Sequence, residues 1–218
     1  MAIDSSDAEA WHNLAVSLAE SDDMIGALED WRRSVAADPS YAEGLAFLGL
    51  GHYWRRQYDS AARWADSAIT VEPNYLLGRS TVGYIAIERG DYRRARAAFE
   101  AARRLTTDIE AINSAAGTAL ADARAGALPG ARDMLQQAES KAIGYAATSL
   151  HTVVFMAQAH AAVAAKDRAI AWLRRYTPSN DLHFQLHLRC DPPFDPIAAD
   201  PRFRALLLAP RPAGSQGC

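Results

Sequence analysis

Three side chains near the end of the sequence have the types and spacing of a transition-metal site. His183, His187 and Cys190 follow the pattern H-x3-H-x2-C, which on one helix would place two imidazoles and a thiolate on roughly one face. No fourth ligand is evident nearby, although Asp181 and Asp191 are close in sequence. The alternative is a loop or a short closing helix with scattered polar residues. We favour this alternative, so the sequence predicts no metal ligands.

Other motifs of catalysis or nucleic-acid binding are absent from the sequence. It contains no G-x-S-x-G element, no phosphate-binding loop and no H-E-x-x-H pair. Its arginines cluster at 55–56, 93–96 and 103–104, but Asp59 and Glu100 lie among them and indicate a solvated face of mixed charge. We therefore predict no enzyme, no catalytic residues, no cofactor and no nucleic-acid partner.

Composition favours a helical protein that does not enter membranes. Of the 218 residues, 50% are hydrophobic, and the abundant alanine favours helix over sheet. The net charge of −3 gives no general attraction to nucleic acid or to an anionic membrane. The sequence shows neither a signal peptide nor a membrane-spanning run, so we expect a cytoplasmic location. Two cysteines in a chain of this length predict no disulfide framework.

A period of thirty-four residues organises the chain. Ala27, Ala61 and Ala95 are each thirty-four residues apart, and Pro39 and Pro73 keep the same interval. Within each unit, apolar and small residues recur at spacings of three and four, which is the helical period. A proline near the end of a unit stops its second helix. Each unit is therefore predicted to be two helices joined by a short turn, with small residues where the helices approach closely.

These residues resemble the tetratricopeptide repeat (TPR), whose signature is W-x2-L-G-x2-Y followed by A-x3-F-x2-A and a closing proline. The matches include Trp11 and Leu14 in the first unit, Gly49 in the second, and Gly83 and Phe99 in the third. The resemblance implies an all-α, right-handed α-solenoid of about five helix pairs. We place the superhelix at 1–176, and its units at about 8–41, 42–75, 76–109, 110–145 and 147–176. The fourth unit fits only with two residues inserted.

A different segment follows the repeats. We assign 177–210 to a capping tail, because a terminal repeat exposes an apolar face, and 211–218 to a disordered end. Within the tail, DPPFDPIAADPRFRALL resembles the end of TPR regions in bacterial class III adenylate and guanylate cyclases and in winged-helix regulators. This resemblance implies a regulatory or dimerising C-terminal module of a signalling protein, whose target would be its own missing domain or a second copy.

The TPR register predicts the residues that line the concave groove. These residues are mostly apolar or aromatic, as is usual for anchors of a protein partner. The alternative is that the tail or a neighbouring helix already covers the aromatic rings. The predicted groove residues are His12, Asn13, Val16, Phe47, Leu50, Tyr53, Trp54, Tyr84, Ile87, Thr118, Phe155 and Gln158.

The groove predicts a scaffold that binds a peptide or protein segment. TPR proteins that bind an Hsp70 or Hsp90 tail hold its carboxylates with cationic side chains. The corresponding positions here carry no Lys or Arg, which argues against such a tail as the ligand. A metal-dependent enzyme using His183, His187 and Cys190 is a further, disfavoured alternative.

Overall fold

The first ten helices form five consecutive pairs. The computed structural model describes residues 6–143, 149–176, 181–208 and Cys218. These residues form twelve α-helices and one 3-10 helix, and no strand. The pairs are α1 (Ala8–Glu20) with α2 (Met24–Ala37), α3 (Ala42–Trp54) with α4 (Tyr58–Val71), α5 (Leu76–Glu88) with α6 (Tyr92–Arg104), α7 (Ile109–Arg124) with α8 (Leu128–Ala142), and α9 (Leu150–Ala162) with α10 (Lys166–Leu173).

Each pair turns at one residue in the left-handed region of backbone space. These residues have φ between 60° and 87° and are Asp22, Arg56, Gly90, Gly126 and Ala164. The first three recur at the thirty-four-residue period, whereas Gly90 and Gly126 are two residues further apart. The predicted insertion therefore lies between these two turns. Outside the turns, prolines 39 and 73 follow the ends of α2 and α4, as the sequence predicts.

Small residues at the fixed repeat positions allow a large ring to pack between helices. Phe99 of α6 is 1% exposed and lies between Gly83 of α5 and Gly117 of α7. A Cβ atom placed on Gly83 would come within 2.6 Å of the Phe99 ring, and one on Gly117 within 2.5 Å. The glycines thus permit the close approach that the repeat pattern predicts. The all-α class and the right-handed solenoid of five helix pairs are confirmed.

The tail returns along the solenoid and does not simply extend it. It forms α11 (Leu182–Cys190), the 3-10 helix Pro192–Ile197 and α12 (Pro201–Arg204). The 3-10 helix packs on α9, while α11 contacts both α9 and α1, which belong to the last and the first helix pairs. The tail therefore lies against the fifth pair and in addition connects it to the first pair.

The two cysteines are paired, which the sequence did not predict. Cys190 at the end of α11 forms a disulfide with Cys218, although the sequence predicted no structural role for either cysteine. Apart from Cys218, the predicted disordered end at 211–218 lies outside the described residues. None of the helices described here combines the length and the apolar character needed to cross a membrane.

Replacing Gly117 with alanine should destabilise the solenoid. The added methyl group would collide with the buried Phe99 ring, and overpacking of this kind costs about 1–3 kcal/mol. Gly130→Ala is the matched control, because Gly130 is also helical but has no atom within 4 Å of its Cβ position. The control should be neutral or gain about 0.5–1 kcal/mol. Urea unfolding followed by circular dichroism measures both changes, and equal stability of the two variants would contradict the close contact.

Candidate functional site

A cavity of about 480 Å³ lies on the concave side of the solenoid. Its walls come from the first helices of four pairs, α3, α5, α7 and α9, and from the tail helix α11. Most of the lining surface is apolar, and polar side chains come from all four first helices and from the tail. Cavities of this size and character are typical of ligand sites.

Seven of the twelve predicted groove residues line this cavity, namely Phe47, Leu50, Tyr53, Trp54, Tyr84, Phe155 and Gln158. Their exposure differs: Trp54 and Tyr53 are each 2% exposed, whereas Phe47, Leu50 and Phe155 are half-buried. Trp54 is covered because the tail packs against its indole ring. The half-buried residues are therefore the ones that a ligand could reach directly.

The other five predicted residues lie elsewhere. Ile87 and Thr118 are 1% exposed within the helix packing. The His12 ring is buried edge-on against Phe47, with ring centroids 4.8 Å apart. Asn13 is exposed and Val16 is half-buried, and both are outside the cavity lining. The role of all twelve residues in binding stays a prediction.

The register did not identify several cavity residues. Glu43, Glu110 and His151 come from first helices, and Asp191 follows α11. The sequence could have identified His151 as a cavity residue, because it precedes the predicted groove residue Phe155 by four positions and therefore lies on the same helical face. Asp191 had no such signal, since the repeat period does not extend into the tail.

The Asp191 carboxylate joins three elements at the cavity wall. Asp191 is 6% exposed. Its Oδ1 accepts a hydrogen bond from Trp54 Nε1 at 2.8 Å, and its Oδ2 accepts one from Gln158 Nε2 at 2.6 Å. His187 Nδ1 lies 2.7 Å from the same Oδ2. This carboxylate thus attaches the tail to α3 and α9, and the bonds compensate for its burial.

Three histidines meet on the same wall of the cavity. His151 of α9 packs against His183 and His187 of α11, with ring centroids 5.6 and 5.7 Å away. The two α11 rings are themselves 5.0 Å apart. The sequence grouped His183 and His187 with Cys190, but the Cys190 sulfur is bonded to Cys218 and is not part of this cluster. In the structure the third side chain beside His183 and His187 is therefore the imidazole of His151, from another helix, and not the Cys190 thiol.

The surroundings lower the pKa of two of these imidazoles, those of His151 and His183, and so favour their neutral forms. Desolvation is the largest cause that lowers the pKa of His151, followed by the neighbouring rings of His187 and His183. The His151 residue is exposed overall, but the cavity wall and the two other rings crowd its imidazole. Desolvation and then His187 likewise lower the pKa of His183. A neutral imidazole has a lone pair with which to bind a proton donor or a metal.

Four buried polar atoms of the cavity residues have no hydrogen-bond partner among the described residues. They are Tyr53 Oη, Thr81 Oγ1, Gln158 Oε1 and His187 Nε2. Leaving a buried polar atom unpaired costs about 1–3 kcal/mol, so native proteins rarely accumulate such atoms in one place. These four atoms lie behind the cavity wall, where a ligand that carries hydrogen-bonding groups could pair with them once the wall side chains move.

The charged side chains of the cavity lining are acidic. Glu43, Glu110 and Asp191 contribute carboxylates, and no Lys or Arg is present among the described residues of the lining. A carboxylate terminus of the chaperone type would therefore meet like charge on this wall. An apolar ligand, or one that carries a hydrogen-bond donor or a positive charge, fits the lining better than an anion.

Comparisons with known proteins support the fold. The chain matches no protein-family model and no curated protein sequence. It is similar in structure to a thermophilic TPR protein of Thermus thermophilus, with a TM-score of 0.62 and 18% identity over 82% of this chain and 95% of the other. A TPR protein of Parabacteroides merdae gives a TM-score of 0.61 and 17% identity over 84% and 71%. YrrB, described as a TPR protein with an unusual peptide-binding site, gives 0.52 and 15% over 92% and 91%.

Asp191→Ala should detach the tail from the first helices. The substitution leaves the Trp54 and Gln158 donors without their acceptor, which we expect to cost about 2–4 kcal/mol of unfolding free energy. Asp195→Ala is the control in the same segment, because the Asp195 side chain makes an exposed ion pair with Arg56 at 2.9 Å. That loss should stay below about 1 kcal/mol. Chemical denaturation compares the variants, and a cost for Asp191→Ala as small as that of the control would refute the anchoring role.

Proposed function

We propose that the chain is an interaction module that binds a short segment of another polypeptide in the concave cavity. The observation that carries this proposal is the combination of an aromatic-lined cavity of about 480 Å³ with four unpaired buried polar atoms. The apolar wall favours burial of one or two side chains, and movement of the wall side chains would let the segment supply hydrogen bonds to the unpaired atoms.

The lining defines the chemistry of the partner segment. Phe47, Leu50 and Phe155 offer half-buried apolar contacts, and Glu43 and Glu110 place carboxylates beside them. We therefore expect a segment with a large apolar side chain close to a lysine, an arginine or another donor. The charge of such a segment is opposite to that of an acidic chaperone tail. The peptide-binding site described for YrrB is a property of that protein, and its shared solenoid fold makes a comparable use of this groove reasonable.

The tail limits the length of the segment that the groove can bind. Because α11 covers Trp54 and ties α1 to α9, only the part of the groove beyond the tail is open to a partner. A cavity of this size accommodates a few residues and not an extended helix. We infer recognition of a short motif. The cytoplasmic location and the absence of catalysis, both expected from the sequence, also remain predictions.

Filling the cavity should weaken peptide binding without disturbing the core. Ser80 lines the cavity and is half-buried, so Ser80→Trp would occupy space that the proposed segment needs. Peptides selected from a displayed random library against the wild-type chain would be measured by fluorescence anisotropy. We expect enrichment of apolar residues next to Lys or Arg, and an affinity loss of at least about tenfold, or about 1.4 kcal/mol, in Ser80→Trp.

Thr70→Trp is the matched control for this experiment. Thr70 is exposed on α4, which contributes no residue to the cavity lining. The control should bind the selected peptides as the wild type does, while circular dichroism verifies the helical content of both variants. Peptides that bind the Ser80→Trp chain as tightly as the wild type would place the binding surface elsewhere and refute the proposal.

A regulatory or dimerising role remains the alternative that the tail resemblance implies. Analytical ultracentrifugation of the isolated chain tests its dimerising form. We expect a monomer, because the tail already covers the apolar surfaces of α1 and α9 that it contacts. A concentration-dependent dimer that Ser80→Trp disrupts would instead favour a second copy as the occupant of the groove.

A further inference from the structure

The histidine cluster has the geometry of a metal-binding site. One ring nitrogen from each of His151, His183 and His187 can be chosen so that all three lie within 4.8 Å of one another. In a tetrahedral zinc site the ligand nitrogens are about 3.3 Å apart, since Zn–N distances are about 2.0–2.1 Å. Small rotations of the side chains would close this difference. We propose that these three imidazoles bind one divalent transition-metal ion of the zinc class.

Two of the three imidazoles already carry the outer partners that metal-ligating histidines have. His183 Nδ1 lies 3.1 Å from Glu20 Oε1, and His187 Nδ1 lies 2.7 Å from Asp191 Oδ2. A carboxylate on one ring nitrogen fixes the tautomer and directs the lone pair of the other nitrogen toward a metal. In both residues the remaining atom is Nε2. Nε2 of His187 is buried and has no hydrogen-bond partner among the described residues.

The donor set identifies the class of metal. Three imidazole ligands suit zinc, cobalt, nickel or copper, whereas Mg²⁺ and Ca²⁺ require oxygen ligands. The nearby carboxylates of Glu20 and Asp191 compensate the positive charge without occupying the first coordination shell. With three protein ligands, a fourth position is left for water or for a group of a bound molecule, and all three histidines line the cavity where such a molecule would lie.

The site also links distant parts of the chain. His151 belongs to α9, His183 and His187 belong to α11, and the carboxylate behind His183 belongs to α1. A bound ion would therefore fasten the tail to the last helix pair and, through Glu20, to the first. Because a metal that binds only the folded state stabilises it, the melting temperature provides a readout that requires no activity.

The metal alone tests the proposal. Tag-free full-length chain, stripped with a chelator, is titrated with Zn²⁺ by isothermal titration calorimetry and with Co²⁺ by visible absorption. We expect one Zn²⁺ per chain, a four-coordinate Co²⁺ spectrum, a rise in Tm with Zn²⁺ and no comparable response to Mg²⁺. His151→Ala and His183→Ala should each weaken Zn²⁺ binding by about a hundredfold, and Glu20→Gln by about tenfold, as loss of an outer partner does.

His52→Gln is the matched histidine control. His52 is buried, its Nδ1 lies 2.6 Å from Gln57 Oε1, and it is outside the cluster, so this variant should bind Zn²⁺ as the wild type does. His151 is exposed, so we expect the His151→Ala chain to fold. This variant therefore tests the site even if His183→Ala does not fold. Absence of saturable Zn²⁺ binding, or binding that His151→Ala leaves unchanged, would overturn the proposal. Neither result depends on a peptide, so the proposed groove function is tested separately.

Discussion

The concave side of this protein is organised around a buried carboxylate. Asp191 receives hydrogen bonds from an indole of α3 and an amide of α9, and it contacts the imidazole of His187 on α11. Three elements that are distant in sequence are thereby held to one side chain. Since a buried carboxyl group without hydrogen bonds is costly, these contacts favour the arrangement in which the tail lies against the second and the fifth helix pairs. The cavity wall and the histidine cluster lie at this junction.

The repeat architecture could be predicted because it is local. Each helix pair is specified by residues within about thirty-four positions, and the spacing of Ala27, Ala61 and Ala95 repeats this specification along the chain. Gly83 was marked as small by its position in the period, and the structure shows the Phe99 ring that requires it. The inserted pair of residues before Gly126 was likewise visible, because an insertion shifts the register without destroying it.

The site was only partly predictable because it depends on contacts that no period encodes. The register identified Phe47, Leu50 and Phe155, which face the cavity from repeated helices. It did not reveal that the tail would reach across to α3, since the Trp54–Asp191 bond spans 137 residues. The nearness of Cys190 to His187 in sequence suggested a shared site, but the thiol is paired with Cys218, and His151 comes instead from another helix.

The contact of α11 with both α1 and α9 has an evolutionary consequence. Solenoids commonly change length by duplication or deletion of a repeat, because each unit touches only its neighbours. Here a pair inserted between α1 and α9 would move these two helices apart, and Glu20 could no longer reach His183 while Asp191 stayed on Gln158. The two contacts of the tail therefore fix the number of helix pairs between α1 and α9.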